Sequence, residues 1–293
     1  MKTSTTRVGV IGTGTGLMGS GIVEISARKG CEVISYEISP DALDAGRHRI
    51  EKSLRRALAK NKISDDELTA ALSRVRYTGD LDELNDREFV FEAIVESEPE
   101  KLDVFARLDK VVTDPNAVLA SNTSSIPIMK LAMATANPER VVGVHYFNPV
   151  PVLPLVELVS SLLTSEATAK KAGSFAADVL GKTVIRSQDR AGFIVNALLI
   201  PYILSAVRLL DSGFASAEDI DNGMVLGCAH PMGPLRLADL IGLDTVVAIA
   251  EAMYEEFKEQ LYYAPPFLLR MVEAGLLGRK TGRGFYNYRS TAV

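Results

Sequence analysis

The sequence predicts an α/β protein in which an open, mostly parallel sheet is followed by an all-helical domain. Short β-branched runs alternate with helical patterns as far as about residue 188, and long apolar-periodic segments follow. A chain of 293 residues that is 47% hydrophobic can bury two cores. We therefore expect two domains, at residues 1–188 and 189–293.

The first elements form a βαβ unit. RVGVI predicts a strand, residues 18–29 predict a helix that ends at Gly30, and EVISYE predicts a second strand before a long polar helix. Helices are then predicted from SEPEKLDVFARLDKVV and SEATAKKAGSFAADVL. Further strands, some of them antiparallel near the end of the sheet, are predicted from FVFEAIV, AVLAS, RVVGVHYF, PLVELV and TVIRS. In the second domain, IVNALLIPYILSAVRLL and LRLADLIGLDTVVAIAEAMYEEF predict helices.

Composition argues against several classes of function. The net charge of -5 disfavours binding to nucleic acid or to a membrane surface. Cys31 and Cys228 give no disulfide framework, and no Cys/His pattern suggests a metal site. The N-terminus MKTSTTR lacks the apolar core of a signal peptide, and no run of 18 apolar residues occurs. We expect a cytoplasmic protein without metal, nucleic-acid or membrane partners.

The glycine-rich stretch IGTGTGLMGSG follows the first strand. Gly14, Gly16 and Gly19 fit the dinucleotide-binding spacing G-x-G-x-x-G, whereas starting at Gly12 would put Leu17 at the third glycine. Glycine there permits positive φ and lets backbone amides approach a pyrophosphate at a helix N-terminus. Because such turns also serve tight packing, the motif alone is weak evidence for a nucleotide site.

A carboxylate at the end of the second strand strengthens the nucleotide interpretation. Glu37 lies 37 − 14 = 23 residues after Gly14, near the roughly 20 expected for the acid that binds the ribose hydroxyls. A carboxylate there repels a 2′-phosphate, so NAD is favoured over NADP. The alternative is that Glu37 is an ordinary solvated residue at a strand end.

The chain has three histidines, and one of them ends a predicted strand. His48 lies among charged residues, which predicts a solvated position on a helix. His230 in GCAHPMGP could cap a turn or pack at a domain interface. His145 ends RVVGVHYF, at the carboxyl edge of the sheet where ligands of α/β proteins bind. A buried, hydrogen-bonded histidine without chemistry is the alternative.

An acid twelve residues later, 157 − 145 = 12, supports chemistry at His145. Glu157 lies in the apolar run PVPVLPLVELV, and burying it without a partner would be costly. A turn at residues 149–154 would return this strand beside His145. The sequence therefore predicts a base, His145, oriented by Glu157.

Several longer motifs, read in order, point to one family. With ASNTSSIPI, HYFNPVPVLPLVELV, GFIVNALLIPY, HPMGPLRLADLIGLD and GRKTGRGFYNY, the chain resembles the L-3-hydroxyacyl-CoA dehydrogenases over about residues 7–288. Among these it is most similar to short bacterial 3-hydroxybutyryl-CoA dehydrogenases. The resemblance implies a Rossmann-like NAD-binding domain and a helical C-terminal domain that closes the substrate site and forms a homodimer. It also implies oxidation of an (S)-3-hydroxyacyl-CoA by NAD, and the reverse reduction.

The resemblance implies site residues as well. His145 and Glu157 form the catalytic pair, and Ser124 and Asn196 contact the reacting oxygen. Ser53 and Lys60, seven residues apart on one face of the basic helix, hold coenzyme A, with Arg56 as a further candidate. Without the resemblance, that run of charges would be interpreted as a solvated face. The implied cofactor contacts are Gly14, Gly16, Leu17, Met18, Gly19, Glu37, Glu96, Lys101, Asn122 and Asn148.

The glycine loop departs from the family pattern, in which the strand runs straight into G-x-G-x-M-G. Here two additional residues lie between Ile11 and Met18. We expect them upstream of the turn, which keeps the fingerprint from Gly14 to Gly19 intact. The alternative is an enlarged turn that begins at Gly12.

Two other functions stay open from the sequence. One is an enzyme of the same fold that acts on a free hydroxy acid or sugar acid, and the Ser53 and Lys60 helix favours coenzyme A instead. The other is an NAD-binding structural protein without turnover. A protein without turnover need not keep all four residues of the implied reaction site, so their presence argues against that reading: His145, Glu157, Ser124 and Asn196.

Overall fold

The chain folds into two compact units, Met1–Asp189 and Arg190–Val293. The computed structural model describes residues 5–14 and 16–289. The first unit contains a sheet with flanking helices and the second is helical, which confirms the predicted fold class. The boundary predicted from the sequence lies one residue earlier, between residues 188 and 189.

One eight-stranded sheet organises the first unit, in the order β3-β2-β1-β4-β5-β6-β7-β8. The six strands from β3 to β6 in this order are parallel, β7 runs antiparallel to β6, and β8 is parallel to β7. The antiparallel end of the sheet is therefore confirmed. The strands are β1 (Arg7–Ile11), β2 (Glu32–Tyr36), β3 (Val75–Thr78), β4 (Phe89–Glu92), β5 (Val118–Ser121), β6 (Val141–Tyr146), β7 (Leu155–Ser160) and β8 (Thr183–Gln188).

Helices pack on the sheet through buried apolar side chains. Ser39 caps α2 by accepting from Ala42 N, and Ser64 and Glu67 form a capping box at α3. The helix α6 continues as a π-helical turn at Phe175–Val179. The helices of this unit are α1 (Leu17–Arg28), α2 (Pro40–Ala59), α3 (Asp65–Ser73), α4 (Glu98–Val111), α5 (Ile128–Met133) and α6 (Glu166–Ser174).

The strand order puts the predicted site residues that follow the parallel strands of the first unit on one edge of the sheet. β1 lies between β2 and β4, so the connection that follows β1 runs to one side of this point and the connection that follows β4 runs to the other. Ligands of open α/β sheets bind outside the carboxyl ends of the strands at such a point. The glycine loop after β1 and the loops after β2, β4, β5 and β6 all lie at this edge.

The second unit is a helical bundle with its own apolar core. Buried Asp221 accepts from Leu235 N and Arg236 N and so caps a helix. Over residues 5–14 and 16–289, no helix is both long and apolar enough to cross a bilayer. The helices are α7 (Val195–Asp211), α8 (Ala217–Gly227), α9 (Pro234–Ile241), α10 (Leu243–Phe257) and α11 (Pro266–Glu273).

Candidate active site

A histidine and a glutamate meet across two antiparallel strands. β6 and β7 pair in the register that puts His145 opposite Glu157, and His145 Nδ1 lies 2.8 Å from Glu157 Oε2. Glu157 is fully buried and His145 is 7% exposed. Because a carboxylate accepts hydrogen bonds, Nδ1 carries the hydrogen and Nε2 is the basic ring nitrogen. The arrangement can therefore take up and release a proton at Nε2.

The turn after β5 carries Ser124 and is tied to neighbouring strands by hydrogen bonds. Asn122 N donates to the Glu92 carbonyl at 2.9 Å, and the Asn122 side-chain oxygen accepts from Tyr146 N at 2.9 Å. Tyr146 directly follows His145. Ser124 and His145 therefore lie on adjacent segments whose backbones Asn122 joins.

Glu96 fixes the same turn from the opposite side. Its Oε1 accepts from Ser124 N at 3.1 Å and from Ser125 Oγ at 2.9 Å, and it also accepts from the Thr123 hydroxyl. Burial raises the pKa of the Glu96 carboxyl, but Lys101 and these hydrogen bonds outweigh it and hold the pKa below its usual value. Glu96 is thus ionised at neutral pH and holds residues 123–125.

Lys101 lies behind Glu96 in the protein interior. Its Nζ lies 2.6 Å from Glu92 Oε1 and 3.3 Å from Glu96 Oε2, and the residue is only 1% exposed. Ser121 Oγ donates to the second Glu92 oxygen at 2.6 Å. Lys101 therefore helps to hold Glu96 in place, and its predicted contact with the cofactor stays a prediction.

The glycine loop starts its turn earlier than predicted. Gly12, directly after β1, has φ +91°, and a Cβ there would lie 2.4 Å from the Ala93 backbone. Gly14, Gly16 and Gly19 have no positive φ. The turn therefore begins at Gly12, which favours the alternative of an enlarged turn over the expectation that the two additional residues lie upstream of it.

The later glycines meet two requirements of a dinucleotide loop. A Cβ on Gly19 would lie 2.4 Å from the Gly12 carbonyl oxygen, so glycine lets α1 pack on the turn. A Cβ on Gly16 would meet nothing nearer than Met18 N at 4.0 Å, so this side of the loop is open. Glu37, buried at the end of β2, accepts from Gly14 N. The loop, the start of α1 and this carboxylate fit the pyrophosphate and ribose of a dinucleotide.

A cavity of about 520 Å³ opens beside the loop within the first unit. Ser53 and Arg56 of α2 line it, as does Asn148, which forms a cis peptide bond with Pro149. Lys60 is the C-cap of α2 and lies outside the lining. The lining is basic along α2, where it includes His48, Arg49, Lys52 and Arg56.

One buried acid lines this basic cavity. Glu24 on α1 is 2% exposed and lies 3.4 Å from Arg28 Nη1. Burial raises the pKa of its carboxyl, although Ser53 and Arg28 act in the opposite direction. The cavity wall therefore includes one acid beside its basic residues.

Of the remaining predicted site residues, two lie at the start of α1 and one lies in the second unit. Leu17 and Met18 open α1 beside the glycine loop. Asn196 lies buried in α7 of the second unit, and its predicted contact with the reacting oxygen stays a prediction.

Two residues at this edge were missed. Glu92 is an acid at the end of the apolar strand FVFE, the same signal that pointed to Glu157. Arg49 lies in a run of charges on α2 where no signal distinguishes it from its neighbours.

Family models match the chain almost end to end. The NAD binding domain of 3-hydroxyacyl-CoA dehydrogenase matches residues 7–190, and the C-terminal domain of the same family matches residues 192–288.

Individual relatives agree with these matches. A 3-hydroxybutyryl-CoA dehydrogenase from Mycobacterium tuberculosis is 59% identical over 98% of this chain and all of the relative. One from Bradyrhizobium diazoefficiens is 44% identical over 97% of this chain and 95% of the relative. The crystal structure of (S)-3-hydroxybutyryl-CoA dehydrogenase from Ralstonia eutropha superposes with a TM-score of 0.92 at 42% identity, covering 98% of this chain and all of that one.

Proposed function

Because the chain belongs to the 3-hydroxyacyl-CoA dehydrogenase family and is an oxidoreductase that uses NAD, we propose that it interconverts an (S)-3-hydroxyacyl-CoA and the corresponding 3-oxoacyl-CoA. The observation that carries the proposal is the buried hydrogen bond between His145 and Glu157. The relatives named above favour 3-hydroxybutyryl-CoA and acetoacetyl-CoA as the substrate pair.

In the oxidation, His145 acts as the general base. Nε2 takes the proton of the substrate hydroxyl, the C–O bond becomes a carbonyl, and the hydrogen on that carbon leaves with its electron pair. NAD, when bound, supplies the acceptor for this hydride. Glu157 accepts from Nδ1 and stabilises the imidazolium that forms.

In the reduction, protonated His145 donates to the forming alkoxide. Ser124 and Asn196 hydrogen-bond this oxygen as its negative charge develops. The fixed backbone around Ser124 supports its part, because the hydrogen bonds of Asn122 and Glu96 hold that turn before substrate arrives.

Cofactor binding is assigned to the edge that carries the glycine loop. Gly14, Gly16 and Gly19 with Leu17 and Met18 surround the pyrophosphate, and Glu37 accepts from the ribose hydroxyls. Further contacts come from Asn122, Asn148, Glu96 and Lys101, and Lys101 also holds Glu96 through an ion pair.

The cavity along α2 is assigned to coenzyme A. Ser53 and Arg56 line it, and basic side chains there can bind the phosphates of coenzyme A. Lys60 would reach the same ligand from the C-terminal end of the helix.

The second unit is proposed to close the substrate site and to form a homodimer in the cytoplasm. Leu198, Phe214 and Leu226 are 73%, 78% and 82% exposed on it, and burial between two copies would remove this apolar surface from water. Sedimentation should give twice the mass of the chain if the proposal holds, and a single-chain mass would contradict it.

Absorbance at 340 nm tests the reaction. Purified protein should oxidise NADH with acetoacetyl-CoA, and do so faster than it oxidises NADPH or than it acts on free acetoacetate. Preference for NADPH would contradict the role of Glu37, and turnover of the free acid would favour a hydroxy-acid dehydrogenase. Binding of NADH without turnover of any pair would favour a non-catalytic protein.

A further inference from the structure

The guanidinium of Arg49, on α2, donates hydrogen bonds to several groups of the enlarged glycine loop. Nη1 donates to the Thr13 carbonyl at 2.7 Å, to the Gly16 carbonyl at 3.2 Å and to Ser20 Oγ at 3.2 Å. The Gly14 carbonyl accepts from Nη2 at 3.3 Å and from Nη1 at 3.4 Å. One side chain therefore binds carbonyls from both ends of the loop.

The backbone of α2 also lies against the same loop. A Cβ on Gly14 would lie 2.2 Å from the Ala42 carbonyl oxygen, and one on Gly46 would lie 2.9 Å from Thr13 Oγ1. Thr13 Oγ1 in turn lies 2.8 Å from Ser35 Oγ on β2. Residues 13 and 14 of the loop therefore pack between β2 and α2.

The direction of these carbonyls fixes the direction of the amides that follow them. In a trans peptide the C=O and the next N–H point to opposite sides. With the Thr13 carbonyl on Arg49, the Gly14 N–H points away from Arg49 and meets Glu37. With the Gly16 carbonyl on Arg49, the N–H of Leu17, in the first turn of α1, is turned to the other side.

Carbonyl oxygens near a pyrophosphate would repel it, whereas amide hydrogens attract it. From this arrangement we infer that Arg49 is a positioning residue for NAD. It turns the carbonyls of the loop inward, so that the Gly14 N–H holds the Glu37 carboxylate and the Leu17 N–H is left to face the pyrophosphate. Because Arg49 also lines the cavity assigned to coenzyme A, it links the two ligand sites. The inference rests on the proposed assignment of the glycine loop to NAD.

Arginine suits this role better than lysine. Its planar fork offers five donors in fixed directions and can serve several carbonyls at once, whereas an ammonium is a compact point charge. Arg49→Lys keeps the positive charge and most of the aliphatic stem but loses the planar fork, so this variant should retain only part of the affinity for NADH.

The test is direct NADH binding, measured by cofactor fluorescence without acyl-CoA, in Arg49→Met and Arg49→Lys. Arg55→Met is the matched control, because Arg55 is an exposed residue of the same helix. We expect the Kd for NADH to rise at least about tenfold in Arg49→Met and less in Arg49→Lys, since each charged hydrogen bond contributes measurably to affinity. The control should match wild type.

A Kd in Arg49→Met within twofold of wild type, with an unchanged circular dichroism spectrum, would overturn the inference alone. If Arg49→Met does not fold, Arg49→Lys decides, and wild-type affinity in that variant would overturn the inference. Failure of the wild-type protein to bind NADH would instead overturn the proposed function and the inference together.

Discussion

Replacing Glu157 with glutamine tests the pair of His145 and Glu157 with little change of shape. A hydrogen bond to a charged group contributes about 1.5–3 kcal/mol and a neutral one about 0.5–1.5 kcal/mol. The lost charge should therefore cost about 1–2 kcal/mol in the transition state, where His145 is positively charged. That difference corresponds to roughly 5- to 30-fold in kcat.

The loss of kcat would be larger if the amide were turned around, because one end of an amide accepts hydrogen bonds and the other end donates them. If the glutamine of Glu157→Gln turned its NH₂ group to His145 Nδ1, the ring would carry its hydrogen on the wrong nitrogen, which can cost about 10⁴-fold. We therefore expect a decrease in kcat of at least about fivefold in the oxidation, in which His145 gains its charge, measured at 340 nm as NADH formation with saturating NAD and (S)-3-hydroxybutyryl-CoA.

A matched control separates this effect from general damage to the fold. Glu166→Gln changes an exposed acid in the first turn of α6 and should leave kcat unchanged. A kcat for Glu157→Gln within twofold of wild type would refute the orienting role of the carboxylate, since the buried charge would then contribute nothing to the reaction.

Three other predictions follow from buried groups. Glu92→Gln leaves the Lys101 ammonium without its nearer charged partner, so urea denaturation should show the free energy of unfolding lowered by about 3 kcal/mol. Adding Lys101→Met to that variant should restore part of the loss, and no loss in Glu92→Gln would contradict the buried ion pair. Because burial raises the pKa of Glu24 above 4.5 in the folded protein, the folded state binds the proton of this carboxyl more tightly than the unfolded state does, and the stability that Glu24 contributes should fall as pH rises above 4.5. Glu24→Gln should reduce that fall, and the same pH dependence of Tm in the variant and in wild type would contradict this. Burial raises the pKa of the Cys31 thiol to about 11, so a thiol reagent should modify only exposed Cys228 in the native protein and both cysteines after unfolding; two reactive native thiols would be the contrary result.

Apolar patterning predicted most of the sheet because its strands are buried on both faces. β4 and β5, for example, are buried at every position. β3 was not predicted. Its four residues, VRYT, are only partly buried, so no continuous apolar run marks the strand.

The contact between His145 and Glu157 could be predicted because an acid in an apolar strand needs a partner. Glu157 met that condition, and so did Glu92, whose partners Lys101 and Ser121 come from other elements. The family resemblance predicted Lys101 in contact with the cofactor, but no signal in the sequence predicted its burial, because lysine is rarely buried. Its burial depends on two carboxylates that only the folded chain brings together.

The register of the glycine loop could not be derived from spacing. Any of its glycines can adopt positive φ, so composition does not select the first residue of the turn. Contacts with Ala93 and Ala42, distant in sequence, make that selection. The hydrogen bonds of Arg49 to the loop depend on the same packing.

The kcat of His145→Gln, measured beside its Kd for NADH, tests the central claim most directly. General acid–base catalysis is typically worth about 10²- to 10⁴-fold, so kcat for acetoacetyl-CoA reduction should fall at least about 100-fold while NADH binding stays at the wild-type value. A variant that binds NADH normally and keeps more than about a tenth of the wild-type kcat would show that His145 does not transfer the proton.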